Sequence, residues 1–109
     1  MEFSEYEKLI SQTAIYPNIG SNITYPALGL AGEAGEVANK IKKIQRDKNN
    51  VWTEEDKKAI EKELGDVLWY LTAMALEFGL TLDGIAKVNM ENLLGRKERG
   101  TLSGSGDNR

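Results

Sequence analysis

The 109-residue chain contains no cysteine and no histidine. Without cysteine there are no disulfides, no zinc–thiolate sites and no thiol nucleophile. Without histidine the commonest metal ligand and the commonest general base are gone. Catalysis, if there is any, falls to carboxylates, lysine, arginine, tyrosine, hydroxyls or a bound metal. Proline occurs only twice, and long spans carry neither proline nor paired turn residues, which favours helices over a many-stranded sheet. Long hydrophobic runs are missing too. The longest, Val67 to Leu76, is bounded by Asp66 and Glu77 and is too short to span a bilayer. Basic excess is also lacking: 14 Lys and Arg stand against 17 Asp and Glu, a net charge of -3, which argues against coating a nucleic-acid polymer. The amino terminus, MEFSEYEKL, carries two early glutamates and no apolar signal core. No membrane partner is therefore expected, and the default location is the cytoplasm.

What is present reads as one small soluble domain, with 40% hydrophobic and 28% charged residues. Helical spacing predicts a first helix over Phe3 to Ile15, with Ser4 or Glu5 at its start, followed by a turn-rich loop at 17–24. A second helix is predicted from Tyr25 to Arg46, with Thr24 as N-cap and Pro26 in its first turn. Its apolar arc is Leu30, Ala34, Val37, Ile41 and Ile44. Thr53 with Asp56 three residues on predicts a capping start for a third helix, Glu54 to Phe78, which Gly79 terminates. Ile60, Leu64, Val67, Leu71, Met74 and Phe78 form its main stripe, and Trp69, Ala73 and Leu76 lie on the far side. A helix that apolar needs partners on both sides, so the expected architecture is an all-α, four-helix protomer whose bundle is completed by dimerisation. A fourth helix is predicted from Leu82, capped by Thr81, to Arg99, with Asn89 turned inward or towards a groove. The domain is expected over residues 1–100, with 101–109 as a flexible tail.

Chemistry concentrates in two stretches. In LGLAGEAGEVANKIKK, Glu33 and Glu36 stand three residues apart and share a helix face, with Lys40 and Lys43 continuing the stripe. Gly32 and Gly35 each cost roughly 1 kcal/mol of helix propensity, a loss that close packing or a site would offset. In ELGDVLWYL, Glu63 and Asp66 repeat the spacing, and Tyr70 follows on the same stripe. A solvated face would sit opposite the core; both pairs flank it instead, on successive helices that a short turn makes antiparallel. Four converging carboxylates repel and are desolvated, a cost a cation offsets. Oxygen-only ligands select a hard ion, Mg²⁺ before Mn²⁺ or Ca²⁺. Mg²⁺ commonly takes its remaining ligands from water and substrate phosphates. Lys40, Lys43, Arg96, Lys97 and Arg99 are then candidates to neutralise a polyphosphate. Tyr70 is a candidate to stack on a base, and Asn89 to bond to a nucleoside. Each of these residues also has a plain structural reading as surface charge, core-edge tyrosine or backbone partner.

GLAGEAGEVANKIKK, ELGDVLWYL and VNMENLLGRKERG, in that order and spacing, resemble the MazG-like nucleoside triphosphate pyrophosphohydrolases of the all-α NTP pyrophosphatase superfamily. The likeness covers roughly residues 25 to 100. It implies Glu33, Glu36, Glu63 and Asp66 as Mg²⁺ ligands, with Mn²⁺ as a substitute. It also implies cleavage of a nucleoside triphosphate to the monophosphate and pyrophosphate, and assembly as a homodimer or homotetramer. The implied mechanism is metal-assisted hydrolysis between the α and β phosphates, with Glu33 or Glu36 taking the water's proton. Position 32 departs from the family pattern. Many members carry a doubled glutamate there and this chain has glycine, which leaves one fewer carboxylate for a second metal or a base. Two other readings remain at this point. One is a pyrophosphohydrolase of the same fold acting on a phosphoribosyl-linked nucleotide, and the other is a non-enzymatic helical interaction module.

Overall fold

The computed structural model describes residues 1–100, 104 and 106; the rest of the expected tail lies outside the described residues. Four helices follow one another: α1 (Phe3–Thr13), α2 (Thr24–Lys48), α3 (Glu54–Glu77) and α4 (Leu82–Glu98). No strand occurs among the described residues, and the all-α expectation holds. None of these helices is long and apolar enough to cross a membrane.

Local chemistry explains where the helices begin and end. Thr53 and Asp56 form a reciprocal capping box at the start of α3, the Thr53 hydroxyl accepting from the Asp56 N–H at 3.1 Å. Thr81 caps α4 by accepting from the Gly84 N–H at 3.0 Å. Thr24, expected as the cap of α2, is instead its first residue. The capping bond comes from the Asn22 side chain, which accepts from the Tyr25 N–H at 3.0 Å. Asn22 also donates to the Pro17 carbonyl at 2.8 Å, and both ends of its amide are thereby used. Helix α1 stops at Thr13, short of the expected Ile15, because Ala14 turns extended to carry Tyr16 into the core. Ile15 is left 94% exposed. Between α2 and α3 the chain reverses through Asn49 and Asn50, both left-handed (φ 50 and 62), a conformation asparagine tolerates better than most residues. Gly79, at φ 70, ends α3 as expected.

The α2–α3 hairpin is the main packing unit, and α1 lies against α3 and α4. The buried cluster gathers Ile10, Tyr16 and Ala73, with Tyr6, Ala14 and Trp69 packed on it. This corrects the expected core. On α3 the buried residues are Thr72, Ala73 and Ala75, and Trp69 and Ala73 pack with α1 in the same chain. Of the expected main stripe, Ile60, Val67, Leu71 and Met74 are half-buried, while Leu64 and Phe78 are 51% and 54% exposed. Ala34 and Ile41 of the α2 arc are exposed too, while Ile44 is buried. The molecule is open: its radius of gyration is 16.9 Å, where a compact domain of this length has about 13 Å.

Two carboxylates tie α1 and its loop to the rest. Glu7 accepts from the Leu82 N–H at 3.0 Å and so satisfies one of the unpaired donors at the start of α4. Glu77 accepts from the Tyr16 hydroxyl at 2.6 Å, the Gly20 N–H at 2.8 Å and the Asn22 N–H at 3.2 Å. These bonds, Tyr16 first, hold the Glu77 carboxyl below its ordinary 4.5. Burial, then the bond to Glu77, pushes the Tyr16 phenol up to about 12 from 10.0. The signs fix a window. A lowered acid contributes stability above its unfolded value and loses it as pH falls through the folded one. A raised phenol contributes below its unfolded value and loses it as pH rises. The tie therefore makes its full contribution from about pH 4.5 to about pH 10 and loses it progressively outside that range. Glu77→Ala is expected to lower the melting temperature by several degrees at pH 7. Thermal melts down the pH scale should show the gap between the two proteins closing in acid, as Glu77 protonates.

Candidate metal centre

Each carboxylate is placed by the register of the α2–α3 hairpin. Gly29 lies against the Tyr70 ring, and a Cβ at position 29 would overlap that ring. With 29 facing 70, Glu33 one turn along α2 comes opposite Asp66 one turn back along α3. Further along, the Lys40 ammonium lies 3.7 Å from Glu63. The Lys48 ammonium reaches Asp56 at 2.9 Å near the closed end. The seam of the hairpin is thus built partly from charged side chains.

Glu33, Glu63 and Asp66 are half-buried, and one oxygen of each lies within 4.8 Å of the others. This spacing is within the span of oxygens around one cation with bonds of 2.0–2.6 Å. Burial first, then the charges of Asp66 and Glu63, a hydrogen bond with Glu63 and the charge of Glu36, hold the Glu33 carboxyl above its ordinary 4.5. A group so perturbed, in a concave place and beside like charges, is where a cation relieves repulsion. The donor set is all oxygen, and it fits a hard divalent ion. Beside the carboxylates a cavity of about 310 Å³ is lined by Glu33, Asp66, Trp69 and Tyr70.

The structure gathers three of the four expected ligands. Glu36 is exposed one turn along α2 from Glu33 and outside the group of close oxygens, although its charge is felt at Glu33. Lys40 pairs with Glu63 rather than with Glu36, the partner its i,i+4 spacing offers. Lys43 is exposed and lines a different cavity, toward the hairpin's closed end. Tyr70 is at the site. Its ring is edge-on to Trp69, with centroids 5.1 Å apart, and stands 6.5 Å from Tyr25. Asn89, expected inward or towards a groove, is exposed in the protomer; Lys97 is exposed and Arg96 half-buried. All three sit on α4, which packs along α1, and none lines the cavity beside the carboxylates.

Several contributors were not visible in the sequence. Gly29, not Gly32 or Gly35, is the glycine that close approach requires; nothing lies within 4 Å of a Cβ at either of the other two. Trp69 is oriented by its indole N–H, which donates to the Thr13 hydroxyl at 3.1 Å. Tyr16 stacks on Tyr25 at 4.8 Å, 8° from parallel. These contacts draw α1 and the 17–23 loop up to the centre, and even the Tyr6 phenol is raised, by burial and then by the charge of Asp66. The loop's turn residues were the only available signal.

Comparison with known proteins adds a family. The model of the MazG nucleotide pyrophosphohydrolase domain matches residues 23–100. "Gene 37 protein" of Mycobacterium phage L5 is 44% identical over an alignment of 114 positions that covers all of both chains. No solved structure matches significantly.

Charge crowding and metal binding make opposite predictions for the same substitution. In chelator, Glu33→Gln should raise the melting temperature, because it removes the carboxylate that its neighbours repel. The stabilisation of the parent protein by added Mg²⁺ or Mn²⁺ should shrink or vanish in Glu33→Gln and Glu63→Gln. Gly29→Ala forces Tyr70 aside and should cost about 1–3 kcal/mol, and the metal response should weaken with the register that this contact sets. Melts with and without metal check all three.

Proposed function

The chain belongs to the MazG nucleotide pyrophosphohydrolase family, and from that premise we propose that it is a Mg²⁺-dependent nucleoside triphosphate pyrophosphohydrolase. It cleaves an NTP or dNTP between the α and β phosphates to the monophosphate and pyrophosphate, and serves nucleotide-pool house-cleaning in the cytoplasm. The observation that carries this reading is the close triad of Glu33, Glu63 and Asp66 oxygens beside a cavity that ends in Tyr70 and Trp69.

Glu33, Glu63 and Asp66 would hold the ion. When bound, the cation neutralises phosphate charge and polarises a phosphoryl oxygen. Glu36, within electrostatic reach of Glu33 but outside the triad, would accept a proton from water, and Glu33 is the other candidate base. Lys40, next to Glu63, and Lys43, a turn further, would neutralise the departing pyrophosphate; phosphoryl transfer depends chiefly on positioning and charge. Tyr70 and Trp69 border the nucleoside side. The open shape of the protomer and exposed apolar residues such as Leu64, Val88 and Leu94 support assembly as a homodimer or homotetramer. Arg96, Lys97 and Asn89 of α4 join the substrate-binding set in that assembly.

The test is pyrophosphate release from a panel of nucleoside and deoxynucleoside triphosphates, with Mg²⁺ and with chelator. Equal amounts of monophosphate and pyrophosphate are expected. Release should fall to background in chelator and in Glu63→Gln. Orthophosphate as product, or release indifferent to chelator, overturns the proposal.

A further inference from the structure

A second cavity, of about 230 Å³, lies toward the closed end of the hairpin, and Ile44, Trp52, Ala59 and Ile60 supply its apolar lining. An apolar cavity of about 150 Å³ already holds benzene, so this one has room for a planar heterocycle. Its polar rim is mainly basic: Lys40, Lys43 and Lys48 border it, with Asp56 as its acidic member. Counting its lining alone, three lysines against Asp56 leave this hollow net positive in a chain of net charge -3, with Lys40 paired to Glu63 and Lys48 to Asp56. Asp56 is already committed, bonding to Lys48 at 2.9 Å and to the Thr53 N–H at 3.0 Å. The same capping box fixes the backbone next to Trp52, which precedes the cap. Lys40 lines this cavity and also pairs with Glu63 of the acidic triad, which makes the two places neighbours along one seam. The order along the hairpin is therefore Trp69 and Tyr70, the carboxylates, Lys40 and Lys43, then Trp52. From Glu33 to Ile44 the axial span is about 16 Å at 1.5 Å per residue.

A triphosphate that ends at the lysines leaves this hollow unused. Resting on the hydrolase reading above, we propose that the Trp52 cavity is a distal subsite for a planar ring carried on the far end of the substrate's polyphosphate. The substrate class then includes dinucleoside polyphosphates, a ring at each end and anionic phosphates between. The reaction is unchanged in kind. Water's oxygen bonds to the α phosphorus, the bridging oxygen leaves with the β phosphate, and the water's proton passes to a carboxylate. The products are a monophosphate and the second nucleoside still bearing its remaining phosphates.

Two single-tryptophan proteins test this, Trp69→Phe (Trp52 alone reports) and Trp52→Phe (Trp69 alone reports), with helical content checked by circular dichroism. Dinucleoside tri-, tetra- and pentaphosphates serve as a ruler against the corresponding triphosphate and inorganic tripolyphosphate. Trp52 emission should change saturably with the dinucleoside of matching length and not with tripolyphosphate. Trp52→Ala should raise KM for that dinucleoside about five- to tenfold more than KM for the triphosphate, as expected for loss of base–aromatic stacking. An unmoved Trp52 emission together with an unmoved KM ratio overturns the subsite, even where triphosphate is cleaved normally. If no nucleotide is cleaved but Trp52 still responds to the ring-bearing polyphosphate alone, the subsite stands and the hydrolase reading fails.

Discussion

Carboxylates brought together at the seam of a two-helix hairpin repel one another, and much of the molecule is arranged so that they stay together. Such a seam normally buries apolar side chains. Here the register set by Gly29 against Tyr70 puts Glu33 opposite Asp66, and Lys40 beside Glu63. Glu33 bears the strain, its carboxyl held above the ordinary range by burial and by its neighbours' charge. A hard cation would turn that repulsion into coordination. The same crowding is thus unfavourable for the bare fold and useful to a metal-dependent phosphohydrolase, a trade common at functional sites.

Much of this was legible in the sequence because it depends on short-range periodicity. The three-residue spacing of Glu63 and Asp66, the Thr53 capping box and the Thr81 cap are local patterns, and local physics fixes them. The four helices and the acidic triad followed from such patterns. Glu36 did not join the triad, since spacing alone does not say which of two acids on a face will meet a neighbouring helix. Asn89 is exposed in the protomer, and the setting of α4, which touches α1, depends on contacts far away in sequence.

The elements that were illegible are long-range. Gly29 looks no different in sequence from Gly32 and Gly35, yet only Gly29 faces a tyrosine ring. The exposed Leu64 and Phe78 sit on what reads as the best apolar stripe of α3, while the core forms on the Trp69 and Ala73 face because α1 covers it. Glu77 reads as an ordinary helix-end acid. Its three donors come from residues 55 to 61 positions earlier, a pairing no window analysis reaches.

The way α1 is fastened has a consequence for motion. Its packing rests on the small cluster of Ile10, Tyr16 and Ala73; its Glu7 ties it to α4, and Glu77 of α3 holds the loop that follows it. Segments joined by so few anchors open as one cooperative unit, below the free energy of global unfolding. The amides of Gly20, Asn22 and Leu82 share those anchors, so in deuterated solvent they would exchange in concert while the middle of α2 and α3 stays protected. An arm of this kind would open on its own timescale, beside a hairpin that opens only with the whole fold.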